Sequence, residues 1–227
     1  MPRKINPTSY RLGLLQLWNS NIATYGNTIN FFQESRNIFL EFLILKFLKT
    51  HSLKAGNLSW TISVSKVSLV IMCVSLHKAK EELNVLVKKL TNFILLTYNL
   101  PVRVYLLRSL NWPCTSEFLK FYFDFKLKKN DSFKQVLKDV IQIVNTQLNT
   151  KKIVSTSCGP VSLRLQGFKL KASGRFPNSR NQMSQSTQSN VGSIALSELN
   201  NYVEYSQIPI FTKSGVYSLH IWLLYAT

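Results

Sequence analysis

Between Ile38 and Leu53 apolar residues fill most positions, and Glu41, Lys46 and Lys49 fall on the wet side, which predicts a buried helix. Lys54-Ala55-Gly56-Asn57 reads as the stop of that helix and a turn. The period then drops to two. Trp60, Ile62 and Val64 share a face, and after Lys66 the run Leu69 to Val74 is almost continuously apolar, so two adjacent strands are expected. From Lys78 to Leu96 the spacing is helical again, with Leu83, Leu86, Val87 and Leu90 on one face, and Pro101 to Leu107 reads as a further strand. The order helix, strand, strand, helix, strand defines a domain over 36–110. Residues 1–35 form an arm before it, in which Pro2, Pro7, Gly13 and Gly26 break any long helix.

Asn111-Trp112-Pro113 opens a second domain over 111–227. Ser116 to Phe125 and Asp131 to Leu148 are predicted helices; Ser132 caps the second, and Val136, Val140, Ile141 and Val144 form its inward face. Strand runs follow at Leu163–Ser173, Ser193–Leu199, Val203–Phe211 and Val216–Tyr225, with Trp222 assigned to the core. Residues 177–190 are rich in Asn, Gln and Ser, hold no acid, and read as a long solvated or RNA-contacting hairpin. The fold class is therefore α+β.

Charge narrows the function. Lys and Arg number 28 against 10 Asp and Glu in 227 residues, giving a formal net charge of +18. A foldable chain this basic repels itself unless a polyanion, nucleic acid or an anionic membrane, compensates. An apolar content of 45% excludes a purely disordered basic tail. Mean hydropathy is +0.02, yet no run reaches the ~18 uncharged apolar residues of a spanning helix: Ile38 to Leu48 carries Glu41 and Lys46. The N-terminus has no apolar core of a signal peptide, and no amphipathic presequence is evident.

Catalytic and metal chemistry have no visible basis. Cys73, Cys114 and Cys158 are scattered, as are His51, His77 and His220, so neither a disulfide set nor a metal site is expected, and no cofactor is implied. The ten acids form no convincing pair, and there is no nucleophile motif or phosphate loop. The chain is not expected to be an enzyme.

Specific motifs lie near the two ends. Arg3-Lys4-Ile5-Asn6-Pro7, Tyr10-Arg11-Leu12-Gly13 and Trp18-Asn19-Ser20 resemble the K-[VI]-N-P-x-x-[FY]-R-L-G and W-[ND]-S opening of the third protein of the small ribosomal subunit. Gly167 to Phe176 (GFKLKASGRF) is similar to that family's G-[IV]-K-[IV]-x-x-S-G-R-[LF]. Thr212-Lys213-Ser214-Gly215-Val216 and His220-Ile221-Trp222 are similar to its closing motifs, and Ser132-Phe133-Lys134 to an internal S-F-R. The ordered set spans essentially the whole chain.

The resemblance implies an N-terminal type II KH domain and a C-terminal α+β domain with a mostly antiparallel four-stranded sheet. It also implies a place on the small-subunit head near the mRNA entrance, beside the tenth and fourteenth proteins of that subunit with the fifth nearby. KH domains clamp RNA through a GXXG loop between two helices, because glycine lets backbone amides approach phosphates. This chain has no glycine between Gly56 and Gly159, and Leu76-His77-Lys78-Ala79-Lys80 runs straight from strand to helix, so the KH-like domain is expected to be a scaffold without its clamp.

Candidate contacts with small-subunit rRNA are Arg3, Lys4 and Arg11 in the arm, then Lys151, Lys152, Arg164, Lys169, Lys171, Arg175 and Arg180, a stretch with no acid. On a strand Lys169 and Lys171 share one face, and Phe168, Leu170 and Ala172 the other. Lys134 and Lys138, four apart on one helix, are candidates for gripping mRNA at the entrance. Gln135 stands where bacterial relatives often carry another base. The expected function is that of a structural ribosomal protein binding small-subunit rRNA and lining the mRNA path; a free-standing RNA-binding regulator or chaperone is the alternative. Richness in Phe, Leu, Ile, Asn and Lys points to an AT-rich coding genome. With the lost KH loop and the absent presequence, it favours the mitochondrial matrix over a plastid or the bacterial cytoplasm.

Overall fold

A computed structural model describes the chain apart from residues 1–4, 23–28, 52, 64, 75–79, 110–111, 129–131, 157–158, 177–182, 213–214 and 227, and apart from the side chains of 22, 29–35, 80–82, 112 and 128. The described residues form four α-helices and two sheets, an α+β arrangement in two units: Trp18–Leu110, and Met1–Leu17 together with Asn111–Thr227.

In the smaller unit β1 (Ser20–Ile22), β2 (Lys54–Ile62), β3 (Val67–Val74) and β4 (Val102–Arg108) lie side by side in sequence order. The β2–β3 pair is a hairpin, while β3 and β4 are parallel and need the crossover supplied by helix α2 (Lys80–Tyr98). Helix α1 (Ile29–Thr50) precedes β2. The two helices bury Leu40, Ile44 and Leu48, and Leu86, Leu90 and Ile94, against Trp60, Val67, Leu69 and Ile71 of the sheet. The order helix, strand, strand, helix, strand is the one expected, with β1 added parallel to β2 out of the presumed arm. α1 starts well before Ile38 because nothing between Gly26 and Gly56 breaks a helix; the polar residues there only hide the apolar period. Gly56-Asn57, expected as a turn, sits where the β2–β3 register shifts between Ala55 and Leu58, a bulge.

The larger unit holds helices α3 (Ser116–Lys128) and α4 (Phe133–Gln147) and five strands rather than four: β5 (Lys151–Thr156), β6 (Gly159–Gly174), β7 (Gln185–Gly192), β8 (Tyr202–Thr212) and β9 (Gly215–Ala226). The order is β5-β6-β9-β8, with β7 also paired to β6, and every pairing is antiparallel. The uncounted strands are β5, hidden by its opening lysines, and β7, which falls within the polar stretch. Ser193–Leu199 is not a strand. Ser132 caps α4 in a capping box with Gln135, and Val136, Val140 and Val144 are fully buried against the sheet's inner face.

That inner face changes phase along β6. Leu163 and Leu165 point inward, the register shifts between Leu165 and Gly167, and from there Phe168, Leu170 and Ala172 point inward. Just after the shift, the close approach of the chain beyond β7 demands glycine: a Cβ on Gly167 would lie 2.0 Å from the Ser193 carbonyl oxygen. Gly174, at φ +138°, ends the strand against Tyr217, whose Cα would be 2.5 Å from a Cβ there. The two glycines that bracket the GFKLKASG motif are backbone requirements.

On the one helix α2, Leu86 is buried and Val85 is 53% exposed. Leu86→Asp is expected to destabilise the smaller unit by more than the ~2–5 kcal/mol of a core Leu→Ala change, and Val85→Asp by no more than about 0.5 kcal/mol. Urea unfolding monitored by helical circular dichroism measures both; equal effects would mean α2 is not packed through the Leu86 face.

Candidate nucleic-acid interface

The bases singled out in the sequence separate by what their strands and turns do with them. Arg3, Lys4 and Arg180 lie outside the described residues. Arg11 is not available to RNA, because it is fully buried. Asn6 starts the turn that carries it, its side-chain carbonyl accepting from the Thr8 amide at 3.0 Å, and Ser9–Arg11 then forms one 3-10 turn. The Arg11 guanidinium donates to the carbonyls of Asn201 (2.8 Å), Pro7 (3.0 Å), Leu196 (2.7 Å) and Glu198 (2.7 Å). Its burial lowers its pKa from the usual arginine value. The nearby Gln16 amide donates to the Val203 carbonyl. The described part of the expected arm up to Leu17 is thus a clip fastened beside β8.

Lys152 is likewise turned inward. Its ammonium meets Glu204 at 2.5 Å, donates to the Cys114 carbonyl at 3.1 Å and lies 5.2 Å from the Tyr225 ring centre. Glu204 also accepts from the Ser116 amide at 3.1 Å, tying β5 and β8 to the start of α3. Tyr225 donates to the same Cys114 carbonyl, and its phenol is pushed well above the ordinary value by burial and the adjacent Glu204. A lysine at the start of a strand reads as a surface base; here alternation with Val154 and Thr156 places it on the inner face.

The remaining bases do face outward. Lys151 and Arg164 are exposed and directly opposed across β5 and β6. Lys169 and Lys171 are partly exposed on the outer side of β6, alternating with buried Phe168, Leu170 and Ala172, and Arg175 is partly exposed just beyond Gly174. Lys134 and Lys138 are exposed on α4, away from the valine stripe. Because α4 packs on the inner face, these two form a patch separate from the strand bases.

The outer sheet face holds residues that the sequence reading missed. Trp222 is not core: it is partly exposed, with Lys169 and Tyr205 as its cross-strand neighbours. The alternation of inward Tyr217, Leu219, Ile221 and Leu223 was the signal for this, since it sends Ser218, His220 and Trp222 outward. Asn190, Lys169, Trp222 and Tyr205 form one row across the face, and Gln188, Lys171, His220 and Gln207 form the next. None of these is acidic and none is buried. The Lys169 ammonium sits 5.8 Å from the Trp222 ring centre. Tyr205 and His220 Nδ1 share a hydrogen bond at 2.7 Å, and burial raises the phenol's pKa. Among the described residues no group of His, Cys, Asp and Glu is placed to hold a metal, and no helix is long and apolar enough to cross a membrane.

Replacing Arg11 by Met keeps bulk but removes every donor. A loss of at least ~2 kcal/mol is expected, from four carbonyls left without a charged partner, with no change in the salt dependence of RNA binding. Thermal unfolding and a salt titration on the same variant check this; intact stability with a flatter salt slope would make Arg11 an RNA contact after all.

No family model matches the chain. Over 228 aligned residues it is 30% identical to the small ribosomal subunit protein uS3m of Chondrus crispus, covering 99% of this chain and 94% of that protein. Identity at that level over nearly the whole of both chains shows that the chain belongs to the uS3 family of small ribosomal subunit proteins, in its organellar branch.

Proposed function

We propose that this protein is a structural, non-enzymatic constituent of the small subunit of the mitochondrial ribosome. The observation that carries this is the near-complete alignment with uS3m. The net charge of +18 supports it, since rRNA supplies the missing counter-charge. Small-subunit rRNA is bound through Lys151, Arg164, Lys169, Lys171 and Arg175, with Arg3, Lys4 and Arg180 as further contacts. Lys134 and Lys138 grip mRNA at its entrance.

The smaller unit acts as a degenerate type II KH domain. The element order and the lack of any glycine between Gly56 and Gly159 support this reading. The segment where a GXXG loop would stand, His77 to Lys80, falls almost wholly outside the described residues. Neighbouring head proteins, the tenth and fourteenth of the small subunit and the fifth nearby, are its partners. Ile38, Phe39 and Phe42 on α1, each more than 60% exposed, favour contact of this unit with other macromolecules of the head.

Two outcomes follow. Each phosphate contact contributes roughly −0.7 to −0.9 to the slope of log K against log salt, so changing Lys169, Lys171 and Arg175 together to Ala should flatten that slope by about two to three. An unchanged slope would remove them from the RNA surface. Lys134→Ala with Lys138→Ala should slow translation of structured more than unstructured templates while the protein still cosediments with the small subunit in a sucrose gradient. Equal losses on both templates would assign the pair a structural role, and wild-type protein absent from the small-subunit peak would favour a free-standing regulator.

A further inference from the structure

We propose that the outer face of β6, β8 and β9 is a base-stacking platform for single-stranded RNA, on which Trp222, Tyr205 and His220 receive an unpaired nucleobase while Lys169 and Lys171 hold the flanking phosphates. This rests on the RNA-binding reading above and adds to it a site that takes bases as well as phosphates. Three aromatic side chains adjoin one another on a sheet face whose other outward positions in the same rows are amides and lysines. The Tyr205 and Trp222 ring centres are 5.4 Å apart, those of His220 and Trp222 5.8 Å at 19°, and those of Tyr205 and His220 6.1 Å at 20°. The His220 imidazole is hydrogen-bonded through Nδ1 with the Tyr205 hydroxyl (2.7 Å) and through Nε2 with the Ser218 hydroxyl (3.3 Å), one nitrogen donating and the other accepting, which fixes that ring. A fixed, partly exposed aromatic group of this kind stacks on any base, because every base has a π-face.

Charge selects the occupant. Lys169 and Lys171 stand about 7 Å apart along the strand, a spacing commensurate with successive phosphates of an extended chain. Lys169 already lies over the indole, so a phosphate and a stacked base can be held together. No acid occupies either row, so neither row repels a polyanion.

The test compares the full-length protein's affinity for a short single-stranded RNA of mixed sequence with that for an abasic oligomer of the same length and charge. Wild type is expected to prefer the base-bearing strand about ten- to a hundredfold. Trp222→Leu should bring the two affinities close together without changing the salt slope, and Trp222→Phe should keep most of the preference, which separates lost stacking from lost folding. Equal wild-type affinities, or a preference that survives Trp222→Leu with Tyr205→Leu, would overturn the platform while leaving phosphate binding intact. Failure to bind either strand would overturn the RNA-binding reading itself. In the assembled small subunit, ultraviolet crosslinking should attach a nucleotide to the 216–226 peptide; a crosslink there to protein alone would overturn the proposal.

Discussion

The bulge between Leu165 and Gly167 decides which side chains of the larger unit meet solvent. Ahead of it the odd-numbered residues of β6 point inward, and a regular strand would continue that phase through residues 169 and 171, driving two lysines into the core. One extra residue at Gln166 reverses the phase. Phe168, Leu170 and Ala172 then join Leu219, Ile221 and Leu223 of β9, all essentially inaccessible, and the lysines emerge on the other side. Because a one-residue slip would exchange every inward and outward side chain, the outer rows are held as firmly as the core they oppose. The register shift therefore determines the position of a cationic face that begins two residues beyond it.

The buried charges serve a different end. Arg11 satisfies four carbonyls that come from its own turn and from the loop between β7 and β8, and so closes a chain separation of about 190 residues with one planar group. Lysine could not reproduce this, having a single point of charge where the guanidinium offers a fork of donors. The Lys152–Glu204 pair does comparable work for the start of α3. Such pairs give little net stability, but loss of one partner strands the other in a medium that cannot solvate it. They specify arrangement more than they strengthen it.

Much of this was legible in the sequence and some was not, for identifiable reasons. The valine stripe and Ser132 cap of α4, and the alternation around Lys169, are local patterns with local causes. Arg11 and Lys152 were misread because their roles depend on partners far along the chain, Leu196 to Asn201 and Glu204, which no window of sequence brings near. Trp222 was misread because size and aromaticity suggest core, although the period of two in its own strand says the opposite. β7 escaped notice because Gln185–Gly192 contains almost no apolar residue. It is a strand by backbone pairing to β6, and burial contributes little to it.

The scarcity of acids completes the argument for the outer surface. After Asp139 the chain carries only two, Glu198 and Glu204. Glu204 is consumed by Lys152 and the Ser116 amide; the Glu198 carboxylate accepts from the Asn201 side chain at 2.7 Å, beside the carbonyls that hold Arg11. Both anions of this region thus stabilise internal connections, and neither tempers the field over β6 and β9. A surface so arranged repels itself in isolation; on the proposed reading phosphates relieve that repulsion, so RNA would bind the folded state preferentially and add to its stability by mass action. On that reading folding and assembly draw on the same electrostatic term: charge that weakens the free chain would be what holds it in the particle.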